Sequence, residues 1–323
     1  MATPIGADHI TSIVNRHLMG DIIDMAYGGN PTFFRLYNSN RRFVDGGPTI
    51  EQPVMASQFT AGGSFSDLDV LDMSPQNTLR TAAWDWKEKY VPVAFSNLTM
   101  VKLNSADSIA NGVQVQVEQA SMHMRDLLGT GLYSAGTDAK ELDGLGLAVA
   151  TSGTYAGIDR SANTWWQAKR PSALANHAAL TLPVLNGLQT SVTSGGRFPT
   201  LCLTTQAIYN RIWGILQGTQ QFYSVSEKDA QMASAGFNNF VFNGTPFLVD
   251  PKIPNVAAET GGQLYFLNED FIKLAVTPLS DFRMEPFQQA FNQAAIGAKL
   301  LFTGQLLVTN PALQLAQSFT APT

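Results

Sequence analysis

The stretch DGLGLAVATSGTYAGIDRSANTWWQAK occupies residues 143–169. Glycines stand at Gly144, Gly146, Gly153 and Gly157, and two adjacent tryptophans, Trp165 and Trp166, lie near its end. Tryptophan usually buries a large apolar area, yet the glycine-dotted loop before the pair offers little to pack against. On a strand, adjacent side chains point to opposite faces. One tryptophan would then fill the chain's own core, and the other would cover a neighbouring element or subunit. The alternative buries both inside the chain. Gly144-Leu-Gly146 and Gly129-Thr-Gly131 are fragments of a phosphate-cradling loop, and neither shows the complete spacing after a strand.

Composition narrows the setting. With 323 residues the chain exceeds the size at which one core usually stops growing, so two lobes, or one lobe with long extensions, are expected. Charged residues make up only 14%, well below the usual quarter. Gln, Asn, Ser, Thr and Gly take their place, a mixture suited to surfaces that other subunits cover. Net charge is −5, and the largest basic clusters are Arg41-Arg42 and Lys169-Arg170. Tight phosphate binding needs more clustered cations than that. One cysteine, Cys202, excludes an intrachain disulfide and a cysteine-based zinc site. The N-terminal residues lack the apolar region of a signal peptide, and no run approaches a membrane span. The expectation is a protein folded in a reducing cytoplasm.

The periodicities divide the chain. Residues 1–30 show a helical pattern with one apolar face, an arm with no partner nearby in sequence. Residues 31–80 carry Gly46-Gly47, Gly62-Gly63 and sparse apolar positions, and read as a long twisted hairpin that must lie on something. Strand-like alternation follows around Tyr90, Val91, Val93 and Phe95. Ile109, Val113, Val117, Ala120, Met124 and Leu128 then form one stripe on a helix of about 35 Å, at about 1.5 Å per residue. Residues 181–195 read as a second helix, and FPTLCLTTQAIYNRIWGILQG as a strand, a threonine cap and a helix. FNNFVFNGTPFLVDPKIP is a hairpin turning on Asn243-Gly244, the favoured type I′ pair. QLYFLNEDFIKLAV gives two short strands, and long strands run from Ala294 to Val308.

A search for chemistry finds little. The four histidines, His9, His17, His123 and His177, have no ligand spacing for a metal. No G-x-S-x-G elbow occurs. Asp67, Asp69 and Asp72 are dense enough in oxygen to suggest calcium, but the pattern is not a calcium-binding helix–loop–helix; a solvated or salt-bridged hairpin edge fits as well. Asn97-Leu-Thr99 and Asn243-Gly-Thr245 match the glycosylation acceptor formally and carry no meaning without secretion.

In their order, these parts resemble the major capsid proteins of tailed bacteriophages, with the α+β Hong Kong 97-like fold. Residues 143–169 look like the family segment in which a Gly-Leu pair, a short strand, a Gly-Ile-Asp-Arg turn and a tryptophan follow the long helix. FNGTPFLVDPKIP, LYFLNEDFIKL and QLLVTNPALQLA resemble its hairpin, its next strand pair and its closing strand and tail. The resemblance spans essentially the whole chain. It implies an N-terminal arm (1–30), an extended loop (31–85), a peripheral domain with a spine helix (86–180 and 281–323) and an axial domain (181–280). It further implies a non-enzymatic shell subunit without cofactor or metal, forming hexamers and pentamers of an icosahedral head around double-stranded DNA. The alternative is the shell of an encapsulin compartment. Implied partners are further copies, a portal, a separate scaffolding protein, a decoration protein, and DNA held weakly. The implied location is the virion, after assembly in the host cytoplasm. The sequence is expected to start too close to its arm to include a cleaved scaffold segment, so scaffolding would be a separate protein or a propeptide would lie outside this sequence. Residues 43–80 contain no lysine for a crosslink at the loop tip. In this fold the loop covers an adjacent subunit. Asp67, Asp69 and Asp72 are therefore expected to meet Arg125, Lys169 or Arg170 of a neighbour.

Overall fold

A computed structural model describes residues 29–98, 106–174, 177–216, 240–254, 262–289 and 294–319. The arm expected over 1–30 lies almost wholly outside the described residues.

Two sheets organise the chain. The larger is built on β14 (Ala295–Val308), a single strand of 14 residues. It pairs antiparallel with β4 (Lys87–Ser96) from Ala295↔Ser96 to Gly304↔Lys87. In successive segments it also pairs with β11 (Ile272–Val276), β12 (Arg283–Met284) and β13 (Gln288–Gln289). Alternation in β4 is clean: Val91, Val93 and Phe95 are buried, while Tyr90 faces water. Helix α2 (Ala106–Gly131) packs along this sheet. The C-terminal half of its expected stripe is buried, at Ala120, Met124 and Leu128, while Val113 and Val117 are only half-buried. The helix runs through Gly129 to Gly131, and 26 residues span about 39 Å.

The smaller sheet has the order β15 (Leu315–Phe319), β10 (Gly262–Leu267), β7 (Leu201–Thr204), β9 (Thr245–Val249), β8 (Phe240–Phe242). Helices α4 (Leu182–Val192) and α5 (Gln206–Leu216) cover one face, packing on Cys202, Phe247, Leu264, Phe266 and Leu315. Leu203, Leu248, Tyr265, Leu267 and Ala316 point the other way, into the core of the larger lobe. The small sheet is thus buried on both sides, and the two lobes share a core. The β8–β9 turn is the expected one, with Asn243 at φ 47° and Gly244 at φ 81°, the left-handed pair a type I′ turn requires.

Three expectations need correction. Residues 31–43 are not hairpin. Asn30-Pro31 opens α1 (Pro31–Ser39), with Pro at the first turn, and β1 (Arg41–Phe43) adds to β11 in parallel. Phe33 and Leu36 are 2% exposed, so this segment belongs to the core. The hairpin proper is β2 (Thr49–Met55) with β3 (Leu79–Asp85). Second, β10 and β11 are not partners: β10 joins the small sheet and β11 the large one. Third, β14 and β15 separate in the same way, so β15 does not complete the larger lobe. The chain crosses between lobes at 268–271 and again at 309–314.

Candidate functional site

The opening stretch answers its own question once its geometry is laid out. Spine helix α2 ends against α3 (Leu145–Ala148). Leu145 N–H donates to Leu132 O at 2.6 Å and Leu147 N–H to Ser134 O at 3.1 Å. These donors are consumed inside the chain, which is why Gly144-Leu-Gly146 is no anion cradle. β5 (Thr154–Tyr155) and β6 (Ile158–Asp159) make a minimal hairpin through Ala156 at φ 53° and Gly157 at φ 74°. The tryptophans sit on a 3-10 turn (Thr164–Trp166), not on a strand. Trp166 is buried and donates to Tyr155 O at 3.1 Å, and Trp165 is partly buried against the same core.

What the pair holds is the root of the long hairpin. Trp166 stacks on Tyr155 with centroids 6.2 Å apart, and Tyr155 meets Trp84 of β3 edge-on at 6.1 Å. Ala83 N–H of β3 donates to Ala156 O at 3.0 Å. Burial pushes the Tyr155 phenol well above its usual range, and its oxygen accepts from Val308 N–H at 3.0 Å.

Arg160, the arginine of Gly-Ile-Asp-Arg, is the residue that sequence reasoning missed. Its side chain is fully buried. Its Nη atoms donate to the carbonyls of Ser152 (3.2 Å), Leu147 (2.9 Å) and Ala148 (2.7 Å), and its Cζ lies 5.1 Å from the centre of the Tyr155 ring. Carbonyl dipoles at the end of α3 and an aromatic face stabilise the charge in place of an anion. Burial lowers its affinity for the proton. Arg160→Met leaves three carbonyls without this donor, each costing about 1–3 kcal/mol. The expected fall is about 3 kcal/mol or more, roughly 5–10 °C in melting temperature by calorimetry. An unchanged melt means water replaces the guanidinium at no cost.

Beyond its root the hairpin leaves the body of the chain. Residues 56–78 form no strand, and their hydrogen bonds are local, such as Thr60 N–H to Gln76 Oε1 at 2.7 Å. Large apolar side chains are nonetheless dense there. Leu68 is 97% exposed, Val70 99%, Met73 88%, Phe59 73% and Phe65 68%. Soluble monomers rarely present so many together, so this is the candidate site, a surface for association.

The expected charged contacts are exposed on it and around it. Asp69 Oδ2 accepts from Ser66 N–H (2.7 Å) and Asp72 Oδ1 from Ser74 N–H (2.9 Å). The bonds from Ser74 hold the Asp72 carboxyl below its usual range. Arg125 lies 5.7 Å over the Phe34 ring, and Arg170 donates to Ser318 Oγ at 3.4 Å. Lys169 is held by its backbone to Gln314 and Ala316. No salt bridge among the described residues joins the three aspartates to these cations. Among the described residues no cluster of His, Cys, Asp or Glu could hold a metal, and no helix is long and apolar enough to cross a membrane.

No protein-family model and no curated protein matches the sequence. Solved structures do match in fold. The cyanophage A-1(L) capsid asymmetric unit aligns at TM-score 0.68 and 17% identity, covering 94% of this chain and 96% of that one. The capsid of Myoviridae phage XM1 aligns at TM-score 0.59 and 11% identity over 99% and 100%. The holo-SrpI encapsulin complex of Synechococcus elongatus PCC 7942 aligns at TM-score 0.59 and 12% identity over 97% and 96%. The spine helix, the two sheets sharing a core and the hairpin projecting from a tryptophan-anchored root give this chain the Hong Kong 97-like fold.

Proposed function

We propose that this chain is a major capsid protein. It assembles as hexamers and pentamers into the icosahedral head that encloses the double-stranded DNA of a tailed phage. The observation that carries the reading is the projecting loop, whose apolar side chains are left exposed among the described residues of their own subunit while the fold is that of capsid subunits. In this reading 86–180 with most of 272–308 is the peripheral domain, and the small sheet with α4 and α5 is the axial domain. Nothing in the site suggests an enzyme. A portal, a scaffolding protein and a decoration protein are the further partners, the head is the location, and assembly takes place in the host cytoplasm. With no dense basic patch, contact with DNA is weak and without sequence preference.

The likeness to an encapsulin supports a second reading, a protein compartment shell. Electron microscopy of the purified protein tests both. Closed icosahedral particles are expected, and a protein that stays monomeric at high concentration and low salt overturns either reading. Co-expression with its neighbouring genes separates the two, since a capsid fills with DNA and a compartment fills with a cargo protein.

The aspartates are proposed to meet cations of an adjacent subunit, with Arg125, Lys169 and Arg170 as partners. Replacing Asp67, Asp69 and Asp72 with asparagine keeps an acceptor for the Ser66 and Ser74 turns and removes only the charge. Exposed pairs are worth about 1 kcal/mol or less each. Repeated over a shell, the loss should lower particle melting by a few degrees at about 0.05 M salt and vanish near 1 M, where the screening length is about 3 Å. Equal melting of mutant and parent particles across the salt series makes the aspartates turn formers only.

A further inference from the structure

The short helix α1 has hydrogen-bonding side chains spaced so that they reach different parts of the molecule. Just before it, Asn30 Nδ2 donates to Arg125 O on the spine helix at 2.8 Å. Its side chain fills the space that a Cβ on Gly129 would otherwise occupy. In the first turn, Thr32 Oγ1 lies 2.8 Å from the Tyr133 hydroxyl, which donates to Asp250 Oδ2 at 2.9 Å. Tyr133 has one proton and gives it to the carboxylate, so Thr32 is the donor to Tyr133. Asp250 is 1% exposed and follows β9 of the small sheet. Its other oxygen accepts from Lys252 N–H at 2.8 Å. One turn on, Arg35 grips Glu269 with two bonds of 2.6 and 2.8 Å. Glu269 lies on the first crossover and accepts from Thr200 Oγ1 at 3.2 Å, at the entry to β7. At the helix end, Asn40 Nδ2 donates to the carbonyls of Glu269 and Ile272. Tyr37 and Arg41 turn to the large lobe and share Asp281.

We infer that α1 is a latch that fixes the small sheet's orientation on the large lobe: this nine-residue element grips the first crossover, and through Thr32 it holds the Tyr133 hydroxyl that bonds Asp250 at the end of β9. The burial pattern points the same way. Phe33 and Leu36 seat the helix in the shared core, while each polar contact that spans the lobes is buried or nearly so. Arg35 and Glu269 are 12% and 13% exposed. Bidentate arginine–carboxylate pairs are directional, so this one resists rotation as well as separation. The second crossover is tied to the first, since Gln314 accepts from Asn268 N–H at 2.8 Å and donates to Asn268 O at 3.2 Å. Loosening α1 therefore loosens both crossovers together. The inference concerns the mechanics within one subunit and stands whether or not the chain assembles.

Hydrogen exchange read by mass spectrometry on the full-length protein tests it, with the double variant Thr32→Val, Glu269→Gln. The reporter amides are Thr200, bonded to Leu267 O; Asp250, bonded to Thr204 O; and Phe271, bonded to Asn268 O. Exchange there should quicken at least tenfold, with the amides that pair β4 to β14 unchanged. Parental exchange at the reporters overturns the latch. So does uniform acceleration across both sheets, because α1 then adds only general stability. If the double variant does not fold, Thr32→Val alone decides, since it removes a single hydroxyl of α1. A smaller increase confined to peptides covering 245–254 supports the latch, and a parental pattern there overturns it.

Discussion

Replacing Gly144 with valine is expected to leave no soluble, cooperatively folding protein. A Cβ at this position would lie 2.5 Å from Ser134 N, 2.6 Å from Gly131 O and 2.7 Å from Leu132 O. All three are backbone atoms, so no side-chain rotation relieves the overlap. The requirement for glycine is steric, because φ is −76°, a value any residue adopts. The main chain at the end of the spine helix cannot withdraw either. Tyr133 and Ser134 are tied into consecutive turns, and Leu145 N–H is bonded to Leu132 O. Leu132, Leu142, Leu145, Ala148 and Val149 surround the contact with no exposure at all. Overpacking a well-filled core costs about 1–3 kcal/mol when side chains can shift. A backbone collision in a core without slack costs more, against a total stability of about 5–15 kcal/mol. Gly187→Ala is the matched control. Gly187 is exposed inside α4 and nothing lies within 4 Å of an added Cβ, so alanine should stabilise by about 0.5–1 kcal/mol. Circular dichroism melts of both variants check the pair. A Gly144→Val protein with a parental melt means that the spine helix and α3 do not approach as described.

The same glycine shows how far the sequence was legible. In the sequence Gly144-Leu-Gly146 read only as an incomplete fragment of a phosphate-cradling loop, and nothing local showed that a backbone approaches it. The close approach comes from the end of the spine helix, which local pattern could not place against it. The stripe from Ala120 to Leu128 and the Asn243-Gly244 turn were readable because each is decided within a few residues. Sheet membership was not. β10 and β11 read as neighbours, yet both are buried on their two faces, so neither alternation nor polarity marked the lobe to which each belongs. Residues 31–43 were misread for a related reason. Two buried apolar residues, Phe33 and Leu36, in a nine-residue helix are a faint periodicity beside the glycines that follow. Arg160 was visible only as the last residue of the Gly-Ile-Asp-Arg turn, with nothing to mark it as buried. A buried arginine is recognisable only once its carbonyl partners are assembled around it. In the candidate site the aspartates were visible in the sequence, and the apolar density of 59–73 was underrated, because scattered Phe, Leu and Val are informative only after the fold leaves them in water.

Exchanging Phe59, Phe65, Leu68, Val70 and Met73 for serine should abolish assembly while leaving the subunit as stable as its parent. Within one chain these side chains are between 68% and 99% exposed, so their loss removes almost no burial and opens no cavity. The root that orders the hairpin is untouched, since Ile50, Ala82 and Trp84 remain in the core. The proposed assembly is where the effect must appear. Burying one such side chain against a neighbour contributes about 1.5–3 kcal/mol, so five contribute on the order of 10 kcal/mol for each subunit, before the entropy of ordering the loop is subtracted. Ordering the loop costs about 1–2 kcal/mol for each residue newly fixed, so a loop stripped of all five contacts has too little burial left to offset it. Sedimentation velocity and electron microscopy would report particles for the parent and a monomer or small oligomer for the variant, at matched concentration and salt. The melting temperature of the unassembled variant is the internal check, expected within about 2 °C of unassembled parent protein, as surface substitutions usually stay within about 0.5 kcal/mol. Particles formed at parental yield would show that the exposed loop is not what joins the subunits. A large fall in the melt would instead place these side chains in the subunit's own core, contrary to their exposure.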